Sequence, residues 1–245
     1  MGRLVGIATD VGNKRTFNED AVGYYENDDF GIYIVADGMG GHNAGEIASN
    51  LAKDIIIDYV IQHKDEESQE DILNDAILNA NRKIYREGLI NEECNGMGTT
   101  ITGAFIKGNR LVIMNVGDSR TYILRNRELI KVTKDHSLVQ ELLDNGTITK
   151  EEAKEHPNRN VITRAVGTNP VVKVDYYVLD IRDVSKVLIC SDGLTNEVNE
   201  EEILEVLRGN SNEQCLQLIN MSKENGGRDN ISVIILKGSG NIDVG

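Results

Sequence analysis

Two apolar stretches of the chain each lead into an Asp-Gly pair. Residues 31–36 run directly into Asp37, and residues 186–190 are followed, after one serine, by Asp192. The β-branched residues in these runs predict two buried strands, each delivering a carboxylate to the end of a strand. Carboxylates gathered without basic residues beside them stay ionised around a cation. The two pairs therefore predict a site for a hard metal ion.

Acidic residues recur at strand ends or in turns beside strands at five places, namely Glu19, Asp37, Asp118, Asp192 and Asp229. Any one of them alone is explained by turn formation, but five at corresponding places predict a shared site. Oxygen ligands select Mg²⁺ or Mn²⁺ over zinc, and the four histidines show no metal-binding spacing. Two such cations can activate water and clamp a phosphoryl group.

Arg15 stands four residues before Glu19 in the same loop. A guanidinium there could hold two phosphate oxygens through a bidentate fork. Taken without the acids, the simpler interpretation is a surface arginine. With them, it becomes a candidate phosphate-binding residue.

A strand, a glycine-rich loop and a helix at residues 31–62 superficially indicate dinucleotide binding. The loop reads DGMGGHNAG, which does not fit GxGxxG, and the sequence contains no GxxxxGK[ST] motif. An acid at the strand end would also repel a pyrophosphate. Nucleotide binding is therefore disfavoured.

Composition narrows the class of protein. The 245 residues are 40% hydrophobic, enough for a sizeable core, and the net charge of −14 disfavours binding to nucleic acid or anionic membranes. Three widely spaced cysteines give neither a disulfide framework nor a zinc pattern, which favours a reducing setting. Since we find no signal peptide and no apolar run long enough to insert in a membrane, we expect a cytoplasmic protein.

The patterning also predicts the order of elements. Strands are expected at 4–9, 21–25, 31–36, 99–106, 111–116, 121–124, 129–132, 171–179, 186–190 and 231–236, and helices at 44–62, 70–87, 138–145, 150–156, 200–207 and 212–223. The four strands between residues 99 and 132 are expected to form a meander, and Gly88 is expected to end the second long helix. This mixture favours an α+β fold with antiparallel sheets and helices on their outer faces.

Residues 135–170 differ in kind, because they contain both prolines of the chain and two short helical patches among polar residues. We expect an inserted flap rather than core. The rest shows no linker and no repeat, which predicts one catalytic domain over residues 1–240, followed by a short tail at 241–245.

The ordered motifs closely resemble those of the bacterial branch of the metal-dependent Ser/Thr protein phosphatases (type 2C, the PPM family). They are RTFNED (15–20), VADGMGG (35–41), GTT (98–100), VGDSR (116–120), CSDGL (190–194) and GRDNIS (227–232). The resemblance extends from near the first residue to about Lys237. It implies a central sandwich of two antiparallel sheets flanked by helix pairs, with a binuclear metal site at one end.

The resemblance also implies roles for individual residues. Asp37 would bridge two Mn²⁺ or Mg²⁺ ions, with the Gly38 carbonyl on one, Asp192 and Asp229 on the other, and Glu19 acting mostly through water. Asp118 together with Asp192 would bind a third metal, Arg15 the phosphate, and Asp20 and Asn230 would support the site. The mechanism implied is direct attack of a metal-bridging water or hydroxide on phosphorus, without a phosphoenzyme.

One position departs from the pattern of many eukaryotic members, which carry His directly after the first Asp-Gly. Here that residue is Met39, which cannot donate a proton. A metal-bound water, His42 or an unassisted leaving group remain as alternatives, so no general acid is assigned.

The resemblance implies that the partners are proteins phosphorylated on Ser or Thr by a cognate bacterial kinase. Alternatives are a regulator-specific phosphatase acting on an anti-sigma antagonist, a catalytically silent metal-binding scaffold, and a two-metal phosphodiesterase or nuclease. The acidity of the chain opposes the last. No association helix is evident, so we expect a monomer.

Overall fold

A computed structural model describes residues 4–41, 44–65, 68–209, 211 and 213–240. The strands within these ranges are β1 (Val5–Asp10), β2 (Asp20–Glu26), β3 (Phe30–Met39), β4 (Gly98–Thr99), β5 (Ile101–Lys107), β6 (Arg110–Val116), β7 (Arg120–Arg125), β8 (Glu128–Lys131), β9 (Asp175–Asp180), β10 (Lys186–Cys190) and β11 (Ile231–Lys237). The α-helices are α1 (Ala44–His63), α2 (Gln69–Ile90), α3 (Leu138–Asp144), α4 (Lys150–Glu155), α5 (Asp192–Thr195), α6 (Glu200–Arg208) and α7 (Gln214–Glu224).

The strands form two antiparallel sheets. One has the order β1-β11-β10-β7-β8, and the other has the order β2-β3-β5-β6-β9, with β4 paired to β3. Side chains from both sheets, among them Tyr33, Ile113, Ile189 and Ile234, share a buried core. Helices α1 and α2 cover the outer face of the β3 sheet, and α6 and α7 cover that of the β10 sheet. The predicted α+β fold, a sandwich flanked by helix pairs, is confirmed.

The long helices α1 and α2 pack on the β3 sheet through apolar faces. In α2 the buried side chains follow helical spacing and include Ile72, Leu73, Ala76, Ile77, Ala80 and Ile84. Ser68 begins this helix, because its hydroxyl accepts a hydrogen bond from the Asp71 N–H. The predicted stop at Gly88 is wrong: the helix continues to Ile90, and Asn91 caps it. A glycine inside a helix costs only roughly 1 kcal/mol, so it does not by itself end a helix of this length.

The strand that carries Asp37 is longer than predicted. It continues to Met39, so Asp37 lies within β3 and faces Asp20 of β2 in register. The short strand β4 extends the pairing, with Gly38 opposite Thr99. These additional pairs place the backbone on both sides of Asp37 in a β-ladder, so Asp37 does not stand beside a free loop.

The predicted four-strand meander is wrong. β5 and β6 do form a hairpin, but β6 next pairs with β9, whereas β7 pairs with β8 and β10 in the opposite sheet. The chain crosses between sheets at Gly117, whose φ of 109° is open to glycine and strained for other residues. Strand periodicity carries no information about which sheet receives the next strand.

Residues 135–170 contain α3 and α4, and many of their side chains are exposed. A neck of main-chain hydrogen bonds joins the two ends, from Leu138 N to Val161 O and from Thr163 N to His136 O. The strand expected at 171–179 begins only at Asp175. None of the helices among the described residues has the length and apolar character needed to cross a membrane.

Candidate active site

Asp37 and Asp20 form the centre of a carboxylate cluster at one end of the sandwich. Burial raises the pKa of Asp37 well above its usual range. Neighbouring negative charges raise it further, and these belong to Asp20, Asp192, Asp118 and Asp229. Burial also raises the pKa of Asp20 to about 7. The fold therefore gathers acids that are more than 200 residues apart in the sequence, as predicted from their positions beside strands.

The backbone of Asp37 is fixed by two threonines of the GTT motif. Thr100 donates its N–H to Asp37 O at 2.8 Å and accepts from Asp37 N through its hydroxyl at 3.0 Å. Thr99 donates its hydroxyl to the same carbonyl at 2.9 Å. Although the motif was recognised in the sequence, this positioning function follows only from strand pairing.

Asp118 lies in the crossover between the two sheets. Burial and the charges of Asp192 and Asp135 raise its pKa to about 8, and Arg120 opposes the rise. Next to it, the Ser119 hydroxyl lies 2.7 Å from that of Thr100, in a hydrogen bond that links the crossover to the strand region beside Asp37.

Asp192 and Asp229 lie just beyond the ends of the paired strands β10 and β11. Asp192 opens α5, a single helical turn that the sequence did not predict. Burial raises its pKa, the charge of Asp229 raises it further, and Asn196 donates a 3.0 Å hydrogen bond to its Oδ2. Asp229 precedes β11, and its Oδ2 accepts from Arg15 Nη2 at 2.8 Å.

Glu19 lies against the N-terminus of α1. Burial raises its pKa, and the nearby Arg15 partly offsets this effect. Ser49 donates its hydroxyl to Glu19 O at 2.6 Å, and Asn230 Oδ1 accepts from Glu19 N at 2.8 Å. A Cβ at Gly45 would overlap the Glu19 carboxylate, so only glycine permits this approach.

Three carboxylate oxygens of the cluster lack a hydrogen-bond partner although they are buried. They are Glu19 Oε1, Asp20 Oδ1 and Asp192 Oδ1. Buried oxygens carrying negative charge are costly unless paired with a cation, so the donor set fits a hard divalent ion. Among the described residues, no group of three or more His, Cys, Asp or Glu side chains is already arranged to hold a metal ion.

Met39 lies at the end of β3 and is partly exposed. Its thioether cannot donate a proton to a leaving group. His42, the alternative donor from the sequence, lies outside the described residues.

A carboxylate cluster and an arginine at one end of a two-sheet sandwich fit a metal-dependent phosphohydrolase. The family model "Protein phosphatase 2C" matches residues 12–228. The chain belongs to this family of serine/threonine phosphatases. The family and the enzyme class expected from the motifs are therefore confirmed.

Relatives and solved structures agree with this assignment. A serine/threonine phosphatase stp from Listeria monocytogenes is 41% identical over 235 residues, covering 94% of this chain and 93% of that protein. The crystal structure of Stp1 from Staphylococcus aureus is similar with a TM-score of 0.89 at 35% identity, covering 97% of this chain and 95% of that chain.

A further solved structure bears on the cofactor. The catalytic domain of the phosphatase PstP, in complex with 2 manganese ions, is similar with a TM-score of 0.82 at 35% identity, covering 96% of this chain and 97% of that chain. At the level of the family, the expectation of a Mn²⁺ or Mg²⁺ cofactor is confirmed.

Proposed function

We propose that this enzyme hydrolyses phosphoserine and phosphothreonine esters of proteins at the carboxylate cluster. The observation that carries the proposal is the set of unpartnered carboxylate oxygens beside an exposed arginine. The proposed ligands of two Mn²⁺ or Mg²⁺ ions are Glu19, Asp37, the Gly38 carbonyl, Asp192 and Asp229, with Asp118 and Asp192 available to a third ion. When bound, such ions supply an activated water and offset the charge of the phosphoryl group.

Arg15 is proposed to hold the substrate phosphate. Its guanidinium is half exposed, and its ion pair with Asp229 aims it at the rim of the cluster. A bidentate fork to two phosphate oxygens would orient the phosphoryl group before reaction. Asp20 and Asn230 support the site, since Asn230 holds Glu19 through its amide oxygen.

Direct attack by water is favoured over a protein nucleophile. Cys190, the thiol nearest in sequence to Asp192, is buried, and burial raises the pKa of its thiol to about 12. A thiol with so high a pKa is almost entirely protonated at neutral pH and therefore unreactive.

We further propose that the substrates are products of a bacterial Ser/Thr kinase, and that the enzyme is a cytoplasmic monomer. The net charge of −14 argues against a nucleic-acid substrate. Buried free thiols at Cys94, Cys190 and Cys215 fit a reducing compartment. Residues 1–240 are proposed to form one catalytic domain in which the flap at 135–170 borders the substrate.

The test is phosphate release from a phosphothreonine peptide, with EDTA, Mg²⁺ or Mn²⁺ added in turn. We expect release only with added metal, and a loss of at least about a hundredfold in Asp37→Asn and Asp192→Asn. Asp58→Asn, which changes an exposed carboxylate on α1, is the matched control. Full metal-dependent activity in the two site variants contradicts the assignment. Tight Mn²⁺ binding without any release would favour the scaffold alternative.

A further inference from the structure

Phe17 presents an aromatic ring to solvent in the loop that carries Arg15 and Glu19. The residue is 55% exposed, and it lies two positions from each of these neighbours. Single exposed apolar residues are common on protein surfaces, so exposure alone indicates nothing. Phe17 differs from other exposed apolar residues because hydrogen bonds from neighbouring segments order the loop that carries it.

Asn230 fixes the backbone on which the ring is mounted. Its Nδ2 donates to Phe17 O at 2.9 Å and to Val11 O at 3.0 Å, while its Oδ1 accepts from Glu19 N. The next residue, Asn18, donates its side-chain amide to Thr9 Oγ1 at 2.8 Å. The chain is therefore held at the Phe17 carbonyl and at the two residues that follow it.

A second set of contacts holds the other end of the loop. Asn13 donates its N–H to Gly227 O at 2.7 Å, and its side-chain amide donates to Lys223 O at 2.7 Å. The loop containing Phe17 is thus hydrogen-bonded to the segment that leads to Asp229. A ring on a pre-ordered backbone loses little conformational freedom when a ligand covers it, which makes it an effective contact.

The distance between Phe17 and Arg15 along the loop limits which residues of a bound phosphopeptide can contact the Phe17 ring. Two residues of chain span at most roughly 7 Å, so the backbone of Phe17 lies within that distance of the backbone of Arg15. In an extended peptide, the backbone of a phosphorylated residue is likewise at most roughly 7 Å from that of its second neighbour. When Arg15 holds the phosphate group, these two limits allow the first or second neighbour of the phosphorylated residue to contact the ring.

We propose that Phe17 is a specificity-determining residue that favours phosphopeptides with a bulky apolar side chain one or two positions from the phosphorylated residue. The inference rests on the proposed function of the site. Contact between the ring and an aliphatic side chain removes apolar surface of both from water, and this supplies the preference.

The experiment uses the full chain with Mn²⁺ and two phosphothreonine peptides. They are identical except for Leu or Ala at the two positions on each side of the phosphothreonine. We expect wild type to favour the Leu peptide by roughly fivefold in kcat/KM, and Phe17→Ala to bring the ratio close to one. Phe17→Leu should retain part of the preference, and Leu216→Ala, which alters a residue 56% exposed on α7, should retain all of it.

The ratio of the two peptides separates specificity from damage, because misfolding or weaker metal binding lowers both rates together. An unchanged ratio in Phe17→Ala overturns the proposal. So does a wild type with no preference for Leu, although phosphate release from both peptides would then still support the phosphatase function. Absence of release from either peptide with any metal would instead overturn the proposed function itself.

Discussion

Ser191 Oγ donates a hydrogen bond to Asp20 Oδ2 at 2.8 Å, and this contact joins the two sheets beneath the carboxylate cluster. Ser191 follows β10, whereas Asp20 begins β2 in the opposite sheet. The same hydroxyl accepts from Ser232 N at 3.0 Å. One small side chain therefore pairs with one oxygen of a buried carboxylate and with a buried backbone N–H.

We expect Ser191→Ala to lower the free energy of unfolding of the metal-free protein by about 2 kcal/mol. The substitution leaves two buried polar groups short of a partner, and each such loss costs roughly 1–3 kcal/mol. Urea denaturation in EDTA measures the change. Ser239→Ala, at an exposed serine, serves as control, and equal midpoints for the two variants would contradict the role of Ser191.

Gly45→Ala is expected to weaken Mn²⁺ binding by roughly tenfold or more, because the added Cβ displaces the Glu19 carboxylate. Calorimetric titration with Mn²⁺ gives the affinity directly. Gly41→Ala is the matched control, since a Cβ there meets no atom within 4 Å. If both variants bind Mn²⁺ as wild type does, Glu19 does not contribute to the site in the proposed way.

Arg15→Lys should reduce kcat/KM for a phosphopeptide by roughly tenfold to a hundredfold. Lysine keeps the charge but loses the planar fork, and charge-assisted hydrogen bonds contribute about 1.5–3 kcal/mol each. Steady-state kinetics with saturating Mn²⁺ measures the loss. Arg182→Lys, at an exposed arginine paired with Asp180, should leave the rate as it is.

His136 gives the protein a pH-dependent stability term. Its Nδ1 accepts from Gly117 N at 2.9 Å and its Nε2 lies 3.1 Å from Asp175 Oδ2. Burial lowers the pKa of His136, and the positive charge of Arg164 lowers it further. The carboxylates of Asp175 and Asp135 oppose this shift but do not reverse it. The folded protein thus favours the neutral ring, in which Nδ1 is free to accept.

A lowered pKa in the folded state means that the stabilisation is complete above the unfolded-state pKa of about 6.5 and declines as the pH falls through the folded value. We expect the free energy of unfolding of wild type to fall more steeply between pH 7.5 and 5.5 than that of His136→Asn. Urea titrations across this range test the slope. His156→Asn should reproduce the wild-type slope.

The sequence was informative about which residues could do chemistry. The positions of the acids beside strands predict that they lie close together, and the fold brings them to one end of the sandwich. Strand β10 has the predicted bounds of Lys186–Cys190. The supporting contacts of Ser191, Thr100 and Gly45 were not identified. Each depends on a partner in another strand or helix, and local patterning does not specify such pairings.

The errors in the fold have the same origin. The sequence pattern predicts a meander where the chain in fact changes sheets at Gly117. The alternation of residues in a strand is the same in either sheet, so it cannot specify which sheet the strand joins. In α2, the stop signal at Gly88 does not end the helix, which continues to Ile90 and is capped by Asn91. Local signals thus gave the elements, whereas long-range contacts decided their partners.

The neck of the flap is built from main-chain hydrogen bonds at residues 136–138 and 161–163. Backbone bonds of this kind place few demands on the identity of the side chains. We therefore expect that a loop of another length and sequence can replace the segment between them without moving the acids. If the flap borders the substrate as proposed, such an exchange would alter substrate preference and leave the carboxylate cluster in place.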